Sequence, residues 1–213
     1  MTKIVAISDM HGQLPDDLPA CDVLVIGGDI CPDFLRGYAN GATRQAYWLD
    51  TAFREWLWAQ EAEAIVGIAG NHDFVLENWG LVPGGLPWTY LQDSGIAVCG
   101  KKFWGTPWVP NLPSWAFYGS PGALQARSDL VPADVDVLIT HGPPYGTLDY
   151  VHGQHVGEEA ILRAIRDQRP GKVVCGHIHS AHGQADLHYS EVFNVSILDE
   201  AYEVAYSYTE INL

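Results

Sequence analysis

The chain has 213 residues, 47% of them apolar, and carries 26 acidic against 11 basic residues, for a formal net charge of -15. The length suits one domain, and the apolar share allows a sizeable core and argues against wholesale disorder. The acidity speaks against a long nucleic acid as partner, because such affinity rests on basic side chains neutralising phosphates. A small phosphate ester stays open, since bound metal ions supply positive charge locally.

From the N-terminus, Ile4 to Ile7 is an apolar run that ends at Ser8-Asp9. It is too short for a signal segment or a membrane span, so a cytoplasmic location without membrane partners is expected. A second run, Val23 to Ile26, ends at Gly27-Gly28-Asp29. From Ala42 to Gln60, Ala46, Leu49, Phe53, Trp56 and Leu57 recur at helical spacing with charged residues between them, which predicts a helix. Ile65 to Ala69 then runs into Gly70-Asn71-His72-Asp73. The Gly- and Pro-rich stretch from Leu81 to Pro121 holds too many Trp and Tyr for a linker and reads as ordered hairpins and loops. Val135 to Ile139 leads into Thr140-His141-Gly142. A second helix is predicted from Gly157 to Gln168, stopped by Pro170-Gly171. Val173 to Cys175 leads into Gly176-His177-Ile178-His179, and the partly alternating runs Tyr189 to Val195 and Glu203 to Tyr208 suggest half-exposed strands. Short Val- and Ile-rich runs without strict alternation suit strands covered on both faces. The four cysteines, Cys21, Cys31, Cys99 and Cys175, form no C-x-x-C pair, so they read as reduced thiols rather than a zinc cage or a disulfide scaffold.

The polar residues at the run ends share a chemistry. Asp9-Met10-His11, Gly28-Asp29, Gly70-Asn71-His72-Asp73, Thr140-His141-Gly142 and Gly176-His177-Ile178-His179 collect carboxylates, an amide oxygen and imidazoles. Such an oxygen and nitrogen set suits Mn, Fe or Zn. In Asp9-x-His11 and His177-x-His179 the period of two places both side chains on one side of an extended segment. Taken singly, a D-x-H or a Gly-Asp is a surface loop in most proteins. Five of the nine histidines falling in these motifs, each after an apolar run, is what points to a site.

The ordered set D-x-H, G-D, G-N-H-D, H-G and G-H-x-H resembles the calcineurin-like metallophosphoesterase superfamily. The stretches from Phe103 to Pro110, Trp115-Ala116-Phe117, Thr140 to Asp149, His182-Gly183 and Asn194-Val195-Ser196 are similar to its MPPED-type branch, which usually has Gly-Cys where this chain has Gly157-Glu158. The resemblance implies one metallophosphoesterase domain over residues 1–213, an α/β, four-layer αββα sandwich of two mixed sheets flanked by helices. It also implies two divalent metal ions, manganese first, with iron, zinc, cobalt or nickel as alternatives. Carried over residue by residue, Asp9, His11 and His179 hold one metal, Asn71, His141 and His177 the other, and Asp29 bridges them. His72 stands near the leaving group as the non-ligand histidine, oriented by Asp73. Asp33, an acidic residue after Gly28-Asp29, receives no metal role.

The expected reaction is attack of a metal-bridging hydroxide on a small phosphate ester, with His72 assisting the departing oxygen. Diesters are favoured, cyclic nucleotides first by resemblance, because no Lys or Arg adjoins a ligand motif. A monoesterase or nucleotidase, and a non-catalytic nucleotide-binding scaffold, are the alternatives. Trp104, Trp108, Trp115 and Tyr145 have two readings, stacking on a nucleobase or, for the three Trp, packing the core, and the core is favoured. His152, His155 and His182 stand either at the pocket or on plain surface loops.

Overall fold

A computed structural model describes residues 1–33, 40–78, 80–110 and 112–213. The first sheet is built on three parallel strands, β1 (Lys3–Ile7), β2 (Cys21–Ile26) and β3 (Ala62–Gly67). The two-residue β4 (Thr89–Tyr90) extends it beyond β3, and β13 (Thr209–Asn212) pairs antiparallel with β1 at the other edge. In the second sheet β6 (Lys101–Thr106), β7 (Val137–Thr140), β10 (Lys172–Cys175) and β12 (Glu191–Asn194) run parallel. Its antiparallel edges are β5 (Ser94–Val98) and β11 (Gly183–Asp186). A separate small hairpin joins β8 (Tyr150–Val151) to β9 (Gln154–His155).

The unalternating strands have apolar side chains on both faces, so both faces need cover, and the layers follow. Ile4, Ala6, Val23 and Val25 of the first sheet pack against Val137, Ile139, Val174 and Phe193 of the second. The other face of the first sheet, Val5, Ile7, Leu24 and Ile26, takes Leu49, Phe53, Trp56 and Leu57 from the first long helix. The other face of the second sheet, Leu138, Val173 and Val192, takes Ile161, Ala164 and Ile165 from α5 (Glu159–Gln168). Helix, sheet, sheet, helix is the four-layer sandwich expected. The first long helix comprises α1 (Gly41–Trp48), one π-helical turn over Leu49–Phe53 and α2 (Arg54–Ala59), so the predicted 42–60 helix is present with a bulge that periodicity does not reveal. A one-turn α3 (Phe74–Glu77), α4 (Pro121–Ser128) and a 3-10 turn over His179–Ala181 complete the helices among the described residues. Glu158, the departure from the branch pattern, caps α5: its carboxylate accepts the Ala160 N–H at 2.7 Å.

Two expectations need correction. The run Tyr189 to Val195 gives β12, but Val192, Phe193 and Val195 are buried, because β10 and β11 flank the strand and both sheet faces are covered. Glu203 to Tyr208 forms no strand beyond a single bridge from Val204 to Leu198; Ala205 and Tyr206 both donate their N–H to the Ile197 carbonyl, which turns the chain. The 81–121 stretch is ordered as expected, Asn111 lying outside the described residues. Its β5–β6 hairpin turns at Cys99-Gly100, both at positive φ, the geometry that a tight two-residue turn requires.

The two sheets meet at one end. Ser8 and Ser196 form a single parallel bridge, with the Ser8 N–H on Val195 O at 2.9 Å and the Ile197 N–H on Ser8 O at 3.0 Å. The carboxyl ends of the central strands of both sheets therefore converge on one edge. No helix among the described residues is long and apolar enough to cross a membrane.

Candidate metal centre

Every expected ligand lies just past the carboxyl end of a central strand: Asp9 and His11 after β1, Asp29 after β2, Asn71 after β3, His141 after β7, His177 and His179 after β10. Strand ends of open α/β sheets are where ligands bind, because the chain turns there and side chains from separate strands converge. Here the turns are tight. Asp9, His11, Asp29 and His177 all take left-handed φ values between 45° and 69°, a conformation that costs a residue bearing a Cβ and persists where the surroundings fix it. The neighbouring glycines make room for the carboxylates. A Cβ on Gly70 would lie 2.2 Å from Asp29 Oδ1, and one on Gly176 would lie 2.1 Å from Asp9 Oδ2.

The seven side chains form one cluster. Donor atoms of Asp9, His11 and His179 lie within 4.8 Å of one another, as do those of His11, Asp29 and His72, and those of Asp29, His141 and His177. Asp29 is common to the last two groups. Its Oδ2 is 3.1 Å from His141 Nε2, 3.8 Å from His11 Nε2 and 3.9 Å from His72 Nε2. Asn71 joins through its Oδ1, 3.1 Å from His141 Nε2. Asp9 Oδ1 is 3.4 Å from His179 Nε2, while its carboxylate accepts the His177 N–H at 2.9 and 3.0 Å and the Ser196 hydroxyl at 2.8 Å.

These donors fit divalent cations. His141 Nδ1 faces the Gly27 carbonyl at 2.9 Å and His179 Nδ1 the Asp199 carbonyl at 2.8 Å. A carbonyl accepts only from a protonated nitrogen, so each ring keeps a proton on Nδ1 and turns Nε2 toward the cluster. Both ring nitrogens of His11 are buried without a hydrogen bond, although Asp33 Oδ2 approaches Nδ1 at 3.2 Å. Buried imidazole nitrogens left in that state are what a metal ion would satisfy. Charge points the same way, for among the described residues no Lys or Arg pairs with buried Asp9 or Asp29. Burial works against ionising these carboxyls, but hydrogen bonding from His179 and the charge of His141 outweigh it at Asp9, and the charges of His141 and His72 do so at Asp29. Both stay below the usual carboxylate range. The same contacts overcome burial at His141 and hold it up to about 9, whereas burial and the neighbouring His141 push His177 down to about 4.

The expected partnership of Asp73 with His72 is not the one the structure contains. Asp73 is fully buried, and its two oxygens are occupied by the backbone N–H groups of Ile30, Cys31 and Gly70 at 2.8 to 3.2 Å, which pins the loops after β2 and β3 together. His72 Nδ1 instead meets Asp33 Oδ1, in a contact that with His11 keeps Asp33 down at about 2 against its partial burial. A carboxylate on Nδ1 leaves Nε2 aimed inward, the orienting task assigned in sequence to Asp73. Gln45 is a further residue that sequence reading missed. Buried on α1, it donates to the His72 carbonyl at 2.8 Å and accepts the Val75 N–H at 3.1 Å. Gln45→Leu leaves the Val75 N–H without a partner, while the His72 carbonyl keeps the Phe74 N–H at 3.1 Å, so a loss of about 1–3 kcal/mol is expected in denaturant unfolding. A loss under about 1 kcal/mol would mean that water replaces the amide.

Among the aromatics, Trp108 packs into the core with Nε1 on Asp93, and Trp104 packs against the β-sheet and α5 cluster, as favoured. Trp115 does not follow: its ring lies 4.2 Å from that of His72, at the site. Tyr145 packs on His155, whose Nδ1 is held by buried Asp149 at 2.6 Å, and His182 stacks on Tyr206 with Nδ1 on the Ser196 carbonyl. His152, at the tip of the β8–β9 hairpin, lines a cavity of about 340 Å³ beside His177 and His179. A larger cavity, about 600 Å³, lies between residues 13–17 and 204–208 and has none of the seven candidate ligands in its lining. Chemistry rather than volume therefore locates the site.

Comparison with known proteins agrees with this geometry. The family model for calcineurin-like phosphoesterase matches residues 2–181. Metallophosphoesterase domain-containing protein 1 of Homo sapiens is 33% identical over 212 residues, covering 85% of this chain and 62% of the human protein. The chain thus spans less than two-thirds of that relative's length. The solved structure of TT1561 of Thermus thermophilus is similar in fold, with TM-score 0.57 at 16% identity over 99% of this chain and 98% of that one. GAP50, the anchor in the inner membrane complex of Plasmodium, superposes with TM-score 0.51 at 10% identity over 92% and 71% of the two chains.

Proposed function

We propose that this chain, which belongs to the calcineurin-like phosphoesterase family, is a cytoplasmic hydrolase of small phosphodiesters, cyclic nucleotides first, that works with two divalent metal ions. The observation that carries the reading is the pair of donor groups, Asp9-His11-His179 and Asp29-His141-His177, linked by the 3.8 Å approach of Asp29 Oδ2 to His11 Nε2 and completed by Asn71. On this reading the first group would hold one ion, His141, His177 and Asn71 the other, and Asp29 both. When bound, such ions polarise phosphoryl oxygens and make a coordinated water acidic enough to ionise near neutral pH.

The chain's own residues supply the rest. The carbonyls of Gly27 and Asp199 fix the rings of His141 and His179, so neither has to reorient when a cation enters. Asp33 and Gln45 hold His72 from two sides, Asp33 at Nδ1 and Gln45 at the backbone carbonyl, leaving Nε2 to give a proton to the departing oxygen. The Trp115 ring covers one side of His72 and limits water there. Among the described residues, the cavity beside His177 and His179 has no Lys or Arg in its lining, a wall suited to a monoanionic diester more than to a dianionic monoester.

The test is a panel of phosphomonoesters, linear diesters and cyclic nucleotides, run on protein incubated with manganese and analysed for bound metal. Up to two ions per chain and turnover of diesters above monoesters are expected. Failure to retain any ion from Mn, Fe, Co, Ni or Zn would sink the metal reading; a preference for monoesters would overturn the diester assignment.

A further inference from the structure

The turn after β12 carries a side chain whose placement the metal ligands do not require. Tyr202 has φ 62°, a left-handed conformation that a residue with a Cβ adopts only when held. It is held closely. Asp199 Oδ1 accepts the N–H groups of Ala201 and Glu203 at 2.8 and 3.1 Å, and the Asp199 carbonyl accepts the Tyr202 N–H at 3.0 Å. Gln13 donates to the Tyr202 carbonyl at 2.7 Å. The Asp199 carbonyl is also the acceptor that orients His179, so a single peptide group places both a candidate ligand and the tyrosine. The result is a phenol ring centred 4.8 Å from His11, 5.0 Å from His179 and 6.4 Å from His72. The residue is still 42% exposed, so part of it faces outward beside the centre.

What it faces is the cavity of about 340 Å³ whose walls are Tyr202, Glu200, His152 and Val151 around His177 and His179. Pockets for small ligands start at roughly 300 Å³, so this one suits a group of about nucleoside size or smaller. Among the described residues the lining holds one carboxylate, Glu200, and no Lys or Arg. An aromatic face offers the same contact to any planar group, whatever its hydrogen-bonding pattern. A carboxylate on the wall opposes any group bringing a second phosphate close to it, and because Glu200 is exposed that opposition is strongest at low ionic strength.

We propose that this cavity receives the organic group of the ester, with the Tyr202 ring as its stacking surface and Glu200 as a charge filter. Together they select an uncharged planar group, such as a nucleobase, over one carrying a further phosphate. This specificity assignment rests on the phosphoesterase reading for its substrate and on Tyr202 and Glu200 for its selectivity.

Three diesters with one leaving group, 4-nitrophenolate, separate these contributions: the ethyl ester, the thymidine 5′ ester, and the thymidine 5′ ester with a 3′ phosphate. Binding of thymidine alone to the full chain, with manganese present, is measured in parallel by equilibrium dialysis. Tyr202→Ala is expected to weaken thymidine binding about tenfold or more, while Tyr202→Phe keeps it. The same variant should lower kcat/KM for the thymidine ester relative to the ethyl ester. Glu200→Lys should raise kcat/KM for the phosphorylated ester relative to the plain thymidine ester by about fivefold or more. Absence of thymidine binding, or binding that Tyr202→Ala leaves unchanged, overturns the stacking surface, and an unchanged ester ratio in Glu200→Lys overturns the filter. Thymidine binding that depends on Tyr202, in a protein that hydrolyses none of the three esters, supports the stacking surface and counts against the phosphoesterase reading alone.

Discussion

Asp29→Asn is expected to remove about a thousandfold or more of turnover and to lower metal content, in a protein that stays folded. The substitution is nearly isosteric, and the remaining Oδ1 still accepts the His72 N–H, which it now does at 2.7 Å. What goes is the charge and one oxygen with a lone pair toward the centre. Oδ2 of Asp29 stands within 3.9 Å of the Nε2 atoms of His141, His11 and His72, so it is the carboxylate common to the His11-Asp29-His72 and Asp29-His141-His177 groups. Loss of a few kcal/mol of transition-state charge stabilisation corresponds to about three decades in rate. Metal content by elemental analysis and turnover of a nitrophenyl diester are the two measurements. A variant retaining both ions and a tenth of the rate would show that Asp29 is not shared.

His72→Ala is the second large effect, and its signature is a dependence on the leaving group. The variant should keep its metal and lose about 10²–10⁴ in rate on an alkyl or ribose ester, whose departing oxygen needs a proton, and far less on a nitrophenyl ester. Asp33→Asn should reproduce the pattern in weaker form, because it loosens the ring without removing Nε2. Asp73 substitutions behave differently: that carboxylate ties three backbone N–H groups, so its loss should unfold the loops after β2 and β3 before it alters leaving-group dependence. Equal losses on both esters would leave His72 as a positioning group. Loss of an ion would make it a ligand, in line with its place beside His11 and Asp29.

The parts legible in the sequence are those carried by local chemistry. Runs such as Val23 to Ile26 declare a strand covered on both faces, and β1, β2, β3, β7 and β10 lie where such runs stand. The cluster was legible because its members stand directly at the ends of those runs, so the strand register delivers them to one edge. Contacts between distant side chains were not. Asp33 and Asp73 are both acids close to the ligand motifs, and only the approach of the β2 and β3 loops decides that Asp33 meets the imidazole while Asp73 is consumed by backbone. Gln45 sits on the polar side of a helical pattern and carries no mark that its amide reaches two buried backbone groups. Tyr202 stands just before the Glu203 to Tyr208 run, whose partial alternation suggests a strand, and its αL turn depends on Asp199 and Gln13 rather than on a glycine.

The glycines of the centre change how its boundaries are drawn. Gly70 and Gly176 offer no donor atom, yet each leaves open space that an aspartate oxygen needs: a methyl group there would sit 2.2 or 2.1 Å from that oxygen, inside the 3.0 Å that real contacts keep. A count of coordinating atoms therefore understates how many positions define the site: it is shaped as much by two missing side chains as by seven present ones. Alanine at either position would act as a ligand mutation without touching a ligand, by turning Asp29 or Asp9 out of place, and titration of the Gly70→Ala and Gly176→Ala proteins with manganese would register it as lost affinity.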